Sequence, residues 1–345
     1  MRVLVITNMY PTEAQPVAGT FIAAQVESLR NAGVEIEVLF IERPLGGRRV
    51  YRRLGRLAQE RFASFSPHLV HVMYGGVMAA TVTRVIRERP VLISFCGDDL
   101  LGTPGGIVDS LSGRYSIVAS HLAAGRAAGI IVKSRNLLDA LPRRIDRSRV
   151  WTVPNGVDFS RFRPRDRSEC ERALGWSSAR SHVLFPADPD RPGKRFALAR
   201  AAVARLNEGG AEVELHTLRD VPHEEVPVWL NAASAILITS THEGSPNAVK
   251  EALACDVPVV SVDVGDVGER IRGIDGCFTA NPTPEDLAAK VARVLERREP
   301  IDARRRVGEL RLERVAEKLT NIYETLTDGA VPIGSLARAE TNVRE

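Results

Sequence analysis

No run among the 345 residues approaches the roughly 20 consecutive apolar positions that a bilayer-spanning helix needs. Cysteine is scarce: Cys96, Cys170, Cys255 and Cys277 stand far apart without a CxxC pair, so neither disulfides nor a zinc site is expected, and a cytoplasmic setting is. Aromatic residues make up only 5% of the chain and no basic patch is interleaved with them, which argues against a nucleic-acid partner. Glycine is missing where a dinucleotide-binding oxidoreductase requires it. After the apolar run Arg2 to Ile6 the chain reads Thr7-Asn8-Met9-Tyr10-Pro11, and the first glycine is Gly19, so there is no GxGxxG turn. The opening Met1 to Thr7 has too few apolar residues for a secretory leader and reads as a first buried strand. No nucleophile and base of the serine or cysteine hydrolase kind stand out.

What is present is a composition of 44% hydrophobic and 26% charged residues, that of a globular protein, with a modest net charge of +4. The length favours two domains over one core. Short β-branched runs alternate with helix-like segments at Arg2 to Ile6, Glu35 to Phe40, Leu69 to Val72, Val91 to Phe95, Gly129 to Val132 and Val150 to Val153. The alternation restarts at His182 to Pro186 and continues through Val213 to His216, Ala235 to Thr239, Pro258 to Val262 and Gly276 to Thr279. This is the mark of an α/β fold with parallel sheets. Two such units, joined near Phe162-Arg163-Pro164-Arg165-Asp166, imply a cleft between facing sheet ends. A last helix is expected from Arg305 to about Leu326, followed by an aperiodic tail from Thr327. The stretch from Arg48 to Arg56 sets arginines around Val50, Leu54 and Leu57 at helical spacing. It suits an anionic membrane surface, an acidic acceptor, or simply a solvated helix packed on its domain.

The chemistry concentrates at Ser240-Thr241-His242-Glu243-Gly244-Ser245-Pro246-Asn247-Ala248-Val249-Lys250-Glu251. A buried strand precedes it. Ser245 is placed to cap a helix, Pro246 suits its first position, and Ala248 to Ala254 continues it. Unpaired amides and the positive dipole end gather at such a start and favour a diphosphate. Glu251 lies about 7.5 Å along the axis from Pro246, the reach from a diphosphate to ribose hydroxyls. Asp188-x-Asp190, beside Arg191, Lys194 and Arg195, permits a Mg²⁺ reading or an ion-pair network, and the network is preferred.

Glu243-x7-Glu251 with Gly244, the segment Val153-Pro154-Asn155-Gly156-Val157-Asp158-Phe159 and the loop Val264-Gly265-Asp266-Val267-Gly268-Glu269 together resemble the retaining family 4 glycosyltransferases. The resemblance covers most of residues 1 to 325. It implies the GT-B architecture, with two Rossmann-like parallel-sheet domains facing across a cleft and a C-terminal helix crossing back. An acceptor-side domain would span 1–160, a nucleotide-sugar donor domain 161–310, and the crossing helix with its tail 311–345. It also implies transfer from a UDP- or GDP-sugar to an acceptor hydroxyl with retention, independent of metal and of any cofactor. The acceptor would be a glycan, a lipid-linked or a small molecule of polysaccharide, glycolipid or secondary-metabolite synthesis. That setting is the cytoplasm or the inner face of the cell membrane.

By the same resemblance Lys194 matches a lysine that clamps the diphosphate. Pro189 stands where the family has its arginine, so Arg191 would have to reach in. Glu243 would hold the donor sugar and Glu251 the ribose, with amides of Ser245, Asn247 and Ala248 on the diphosphate. Gly19 and Thr20 resemble the family's first glycine loop. Asp99 lies in a segment like "HGxD" in which Cys96 replaces the histidine, and His71 could face the same cleft. Asp256 replaces the usual glycine at the end of the donor helix, where strain is expected. A nucleotide-sugar epimerase or phosphorylase on this fold, or a non-catalytic nucleotide-sugar binder, stands as the alternative.

Overall fold

The computed structural model describes residues 1–42, 50–102, 111–297 and 299–328, without the side chains of 50–52 and 111–112. Six parallel strands, β1 (Arg2–Thr7), β2 (Glu35–Phe40), β3 (Leu69–Met73), β4 (Val91–Phe95), β5 (Gly129–Val132) and β6 (Val150–Thr152), form a first sheet in the order β2-β1-β3-β4-β5-β6. A second parallel sheet runs β11-β10-β9-β7-β8, from β7 (Ser181–Phe185), β8 (Val213–Thr217), β9 (Ala235–Ile238), β10 (Val259–Val262) and β11 (Phe278–Ala280). All the expected strands are present to within a residue or two. The reason is visible in β1. Successive side chains point to opposite faces, so Leu4 and Ile6 enter one core layer while Val3 and Val5 enter the other, and a continuous apolar run is needed to fill both.

The second core takes in Val157, Phe159 and Phe162, so the chain changes domain just after β6. It returns through a crossing segment that shifts the expected last helix. Val157 N–H donates to Leu310 O at 2.7 Å and Leu312 N–H donates to Val157 O at 3.1 Å. This bridge claims the backbone of 310–312, so the helix starts at Leu312 and not near Arg305, and ends at Asp328. Its Val315, Ala316, Leu319, Ile322 and Tyr323 complete the first domain's core, so the C-terminal helix crosses back. The tail beyond 328 lies outside the described residues. Asp256 has the left-handed φ of 55° that was expected to strain it. Its carboxylate offsets this by accepting the amides of Ala303 (2.8 Å) and Arg304 (2.7 Å), which ties the end of the helix Asn247–Ala254 to the return crossing.

The basic helix spans Val50–Phe65. Leu54 of its apolar stripe is fully buried and Ala58 joins it in the core, while residues 43–49 lie outside the described residues. Among the described residues no helix is long and apolar enough to cross a membrane.

His71 was expected at the cleft, and the structure places it elsewhere. It is fully buried in the first domain, its Nδ1 2.7 Å from the Tyr323 hydroxyl and its Nε2 2.8 Å from Ser94 Oγ. Burial, with Lys133 nearby, pushes its pKa down to about 3, so the ring is neutral. Tyr323→Phe should leave Nδ1 unpaired and cost about 1–3 kcal/mol in urea unfolding.

Candidate active site

The strand β9 ends where its buried run Ala-Ile-Leu-Ile gives way to polar residues, and the loop 239–246 leads into the helix Asn247–Ala254. Pro246 is the cap residue, so the helix starts one position later than expected, and no side chain caps it. Ser245, the expected cap, instead donates from Oγ to Asp266 Oδ2 at 2.8 Å. The first amides therefore have no partner within the helix, and the start of the helix is at the cleft. A cavity of about 420 Å³ opens there between the domains. Thr20 lines it from the first domain, Arg161 and Phe162 from the linker, and His223, Asn247 and Glu251 from the second.

Glu243 forms an ion pair with Lys194, and both are largely buried. Lys194 reaches it from a short 3₁₀ turn, Pro192–Lys194, that is locked to the same loop. Thr241 N–H donates to Gly193 O at 2.9 Å, Thr239 Oγ1 to Lys194 O at 2.7 Å, and the Arg195 guanidinium to the carbonyls of Thr239 and Ser240. Arg195 thus ties the Lys194 turn to the loop 239–246, a contact that the sequence did not single out.

Arg191 is not brought to Glu243. Its side chain is exposed and makes no ion pair among the described residues. Asp188 and Asp190 both pair with Arg219 from the loop after β8, so an ion-pair network forms, but not with this loop's own Arg191, Lys194 or Arg195 as expected. Glu251 lies 3.4 Å from His223 Nε2, and the His223 ring packs on Phe162. His223 was also missed, because it stands in an aperiodic loop with no motif around it.

The first domain meets this loop directly. Asn136 Nδ2 donates to the Glu243 carbonyl at 3.0 Å, Asp98 Oδ1 lies 3.2 Å from His242 Nε2, and Asn155 Nδ2 donates to Asn247 Oδ1 at 3.2 Å. Gly244 is packed so closely that a Cβ there would sit 2.7 Å from Cys96 O and 3.2 Å from Gly97 Cα. Gly19 has φ 69°, and a Cβ on it would lie 2.5 Å from the Met9 backbone, so only glycine fits before Thr20.

Asp99 also departs from its expected place at the cleft. It is buried, and its carboxylate accepts amides of Gly75, Cys96 and Gly97 at 2.8 to 3.1 Å, so it shapes the Cys96-Gly97 loop from behind. Burial followed by the charge of Asp99 pushes the Cys96 thiol up to about 12, which leaves it protonated and no nucleophile. Two buried lysines, Lys133 and Lys250, have no hydrogen-bond partner for Nζ among the described residues.

This arrangement can hold a diphosphate against amides and one ammonium, with carboxylates to either side. Comparison with known proteins gives the family. A family model described as Glycosyltransferase Family 4 matches residues 1–161, and one described as Glycosyl transferases group 1 matches residues 192–297. A D-inositol 3-phosphate glycosyltransferase of Geodermatophilus obscurus is 28% identical over 52% of this chain and 48% of its own length, so the chain spans about half of that relative. The putative teichuronic acid biosynthesis glycosyltransferase TuaC of Bacillus subtilis is 24% identical over 77% of this chain and 82% of its own. Among solved structures, sucrose-phosphate synthase from Thermosynechococcus elongatus superposes with a TM-score of 0.78 at 16% identity, covering 96% of this chain and all of that one. Anabaena HepE in complex with UDP superposes at 0.69 and 16% identity, covering 94% and 100%. With models of one glycosyltransferase type matching both domains, the chain belongs to the group 1, family 4-type glycosyltransferases and has their two-domain GT-B fold.

Proposed function

We propose that the chain transfers a hexosyl group from a UDP- or GDP-sugar to an acceptor hydroxyl with retention of anomeric configuration, and that it does so without a metal on the diphosphate. The observation that carries this is the shared cleft: Asn247 and Glu251 of one helix line it, and the loop that leads into that helix carries the Lys194–Glu243 pair. The amides of Asn247 and Ala248 hold the diphosphate, and Lys194 leaves Glu243 in part to neutralise it as it departs. Glu243 then orients the sugar, and Glu251 accepts the ribose hydroxyls. The bond from the anomeric carbon to the phosphate oxygen breaks as the acceptor oxygen adds from the same face, and the acceptor proton passes to the leaving phosphate. Arg219 already occupies both Asp188 and Asp190, so these acids are poorly placed to recruit Mg²⁺. The HepE structures with UDP and with UDP-glucose support a uridine donor. The name of TuaC supports a cell-envelope polysaccharide or lipid-linked acceptor, with the chain at the inner face of the membrane.

Thermal unfolding with a panel of UDP-, GDP- and ADP-sugars tests the reading. One nucleotide class at 100 times its Kd should stabilise the native chain by about 2.7 kcal/mol. Glu251→Ala and Lys194→Ala should abolish that gain. A native chain that no donor stabilises, or variants that keep the shift, would place the donor elsewhere. The UDP-GlcNAc 2-epimerase of Methanocaldococcus jannaschii shares the fold at a TM-score of 0.61. A changed nucleotide sugar released without any acceptor would therefore favour the epimerase reading.

A further inference from the structure

At the far end of the second sheet from the cleft, His182, Glu214 and His216 converge on one face of β7 and β8. His182 pairs with Glu214 in the strand register, and Glu214 and His216 lie two apart, so the pleat turns all three the same way. His182 Nδ1 is 3.0 Å from His216 Nε2, and Glu214 Oε2 is 3.7 Å from each of those nitrogens. A point equidistant from the three atoms lies about 2.0 Å from each, the length of a Zn–N or Zn–O bond.

The surroundings orient these atoms inward. His182 Nε2 is 2.9 Å from the carbonyl oxygen of Ser177, which can only accept, so Nε2 carries the proton and Nδ1 presents its lone pair to the other two groups. Such a carbonyl contact is the usual outer support of a metal-binding histidine. Arg180 holds the other Glu214 oxygen at 2.5 Å, and the ring of Trp176 stacks on His216 at 3.7 Å. With protons alone, one N–H···N bond can join the two imidazoles. Glu214 Oε2 then remains beyond hydrogen-bond reach of both nitrogens and faces a lone pair. One cation at the centre satisfies all three.

We propose that His182, Glu214 and His216 form a binding site for a divalent transition metal of the zinc class, with water as the fourth ligand on the open side, where Glu214 is 35% exposed. The ion would staple the edge strand β8 to β7. The loop carrying Lys194 leaves the opposite end of β7, so this site is separate from the transfer chemistry.

Chelator-treated full-length chain titrated with ZnCl₂ by isothermal titration calorimetry at pH 7.5 tests it, with Tm followed in parallel. The expected result is one saturable ion per chain with a micromolar or tighter Kd, a rise in Tm, and no binding of MgCl₂. Glu214→Gln and His216→Gln, at partly exposed positions that should still fold, should each weaken zinc at least about tenfold. Absence of saturable zinc binding, or native affinity retained in either variant, overturns the site.

Discussion

Gly244→Ala is expected to lower kcat for glycosyl transfer by about 100-fold while moving Tm by no more than a few degrees. The added Cβ would lie 2.7 Å from the Cys96 carbonyl oxygen, 3.1 Å from Leu137 Cδ1 and 3.2 Å from Gly97 Cα, all in the opposite domain. Two of these three are backbone atoms in the loop that Asp99 fixes from behind, so they cannot swing aside. The domains must instead part by a few tenths of an ångström, and the two crossings after β6 and at Leu310 to Leu312 let them do so as rigid bodies. Each domain keeps its own core, which is why stability changes little. The Lys194–Glu243 pair and the groups across the cleft would lose register, and misplacement of that order at a reacting centre is costly in rate. Steady-state kinetics beside a thermal melt decides it. Native kcat in the variant would show that the glycine contact is not needed for the closed geometry.

The two sheets were legible because each buried parallel strand must be apolar on both faces, a signal strong enough to locate all eleven within a residue or two. The strand-loop-helix element at 235–254 was legible because Glu243, Gly244 and Glu251 hold a fixed spacing about a helix start. Contacts that depend on the other domain were not. His242 meets Asp98 and Asn136 meets the Glu243 carbonyl across 144 and 107 positions of sequence, and no local pattern announces such pairs. His71 and Asp99 mislead for a related reason. His71 reads as cleft-facing because it is a strand-end polar residue and Asp99 by its resemblance to a motif, yet His71 is satisfied by Tyr323 of the returning helix and Asp99 by three amides of its own turn and its neighbour. The last helix began late because Val157, in the linker, pairs with its approach.

Lys250→Met should raise stability by about 4 kcal/mol at pH 7, a gain that is nearly gone by about pH 10.5. Lys250 is 1% exposed on the helix Asn247–Ala254, and its Nζ finds no hydrogen-bond partner among the described residues. Burial pushes its pKa from 10.5 down to about 7, with Asp266 pulling upward and Arg270 and Lys133 adding to the depression. Methionine keeps the length of the apolar stem and removes only the ammonium. The sign follows from proton counting. Between pH 7 and 10.5 the unfolded lysine holds a proton that the folded one has lost, so stability rises with pH at about 1.4 kcal/mol per unit. Below the folded value both states are charged and the penalty is at its full size; above the unfolded value neither is, and it vanishes. Urea unfolding of the native chain and the variant at pH 7 and pH 9 measures the difference directly. A gap that stays constant between the two pH values would mean that Lys250 remains charged in the folded protein, held by a partner such as Asp266, and that its burial is not the cost inferred here.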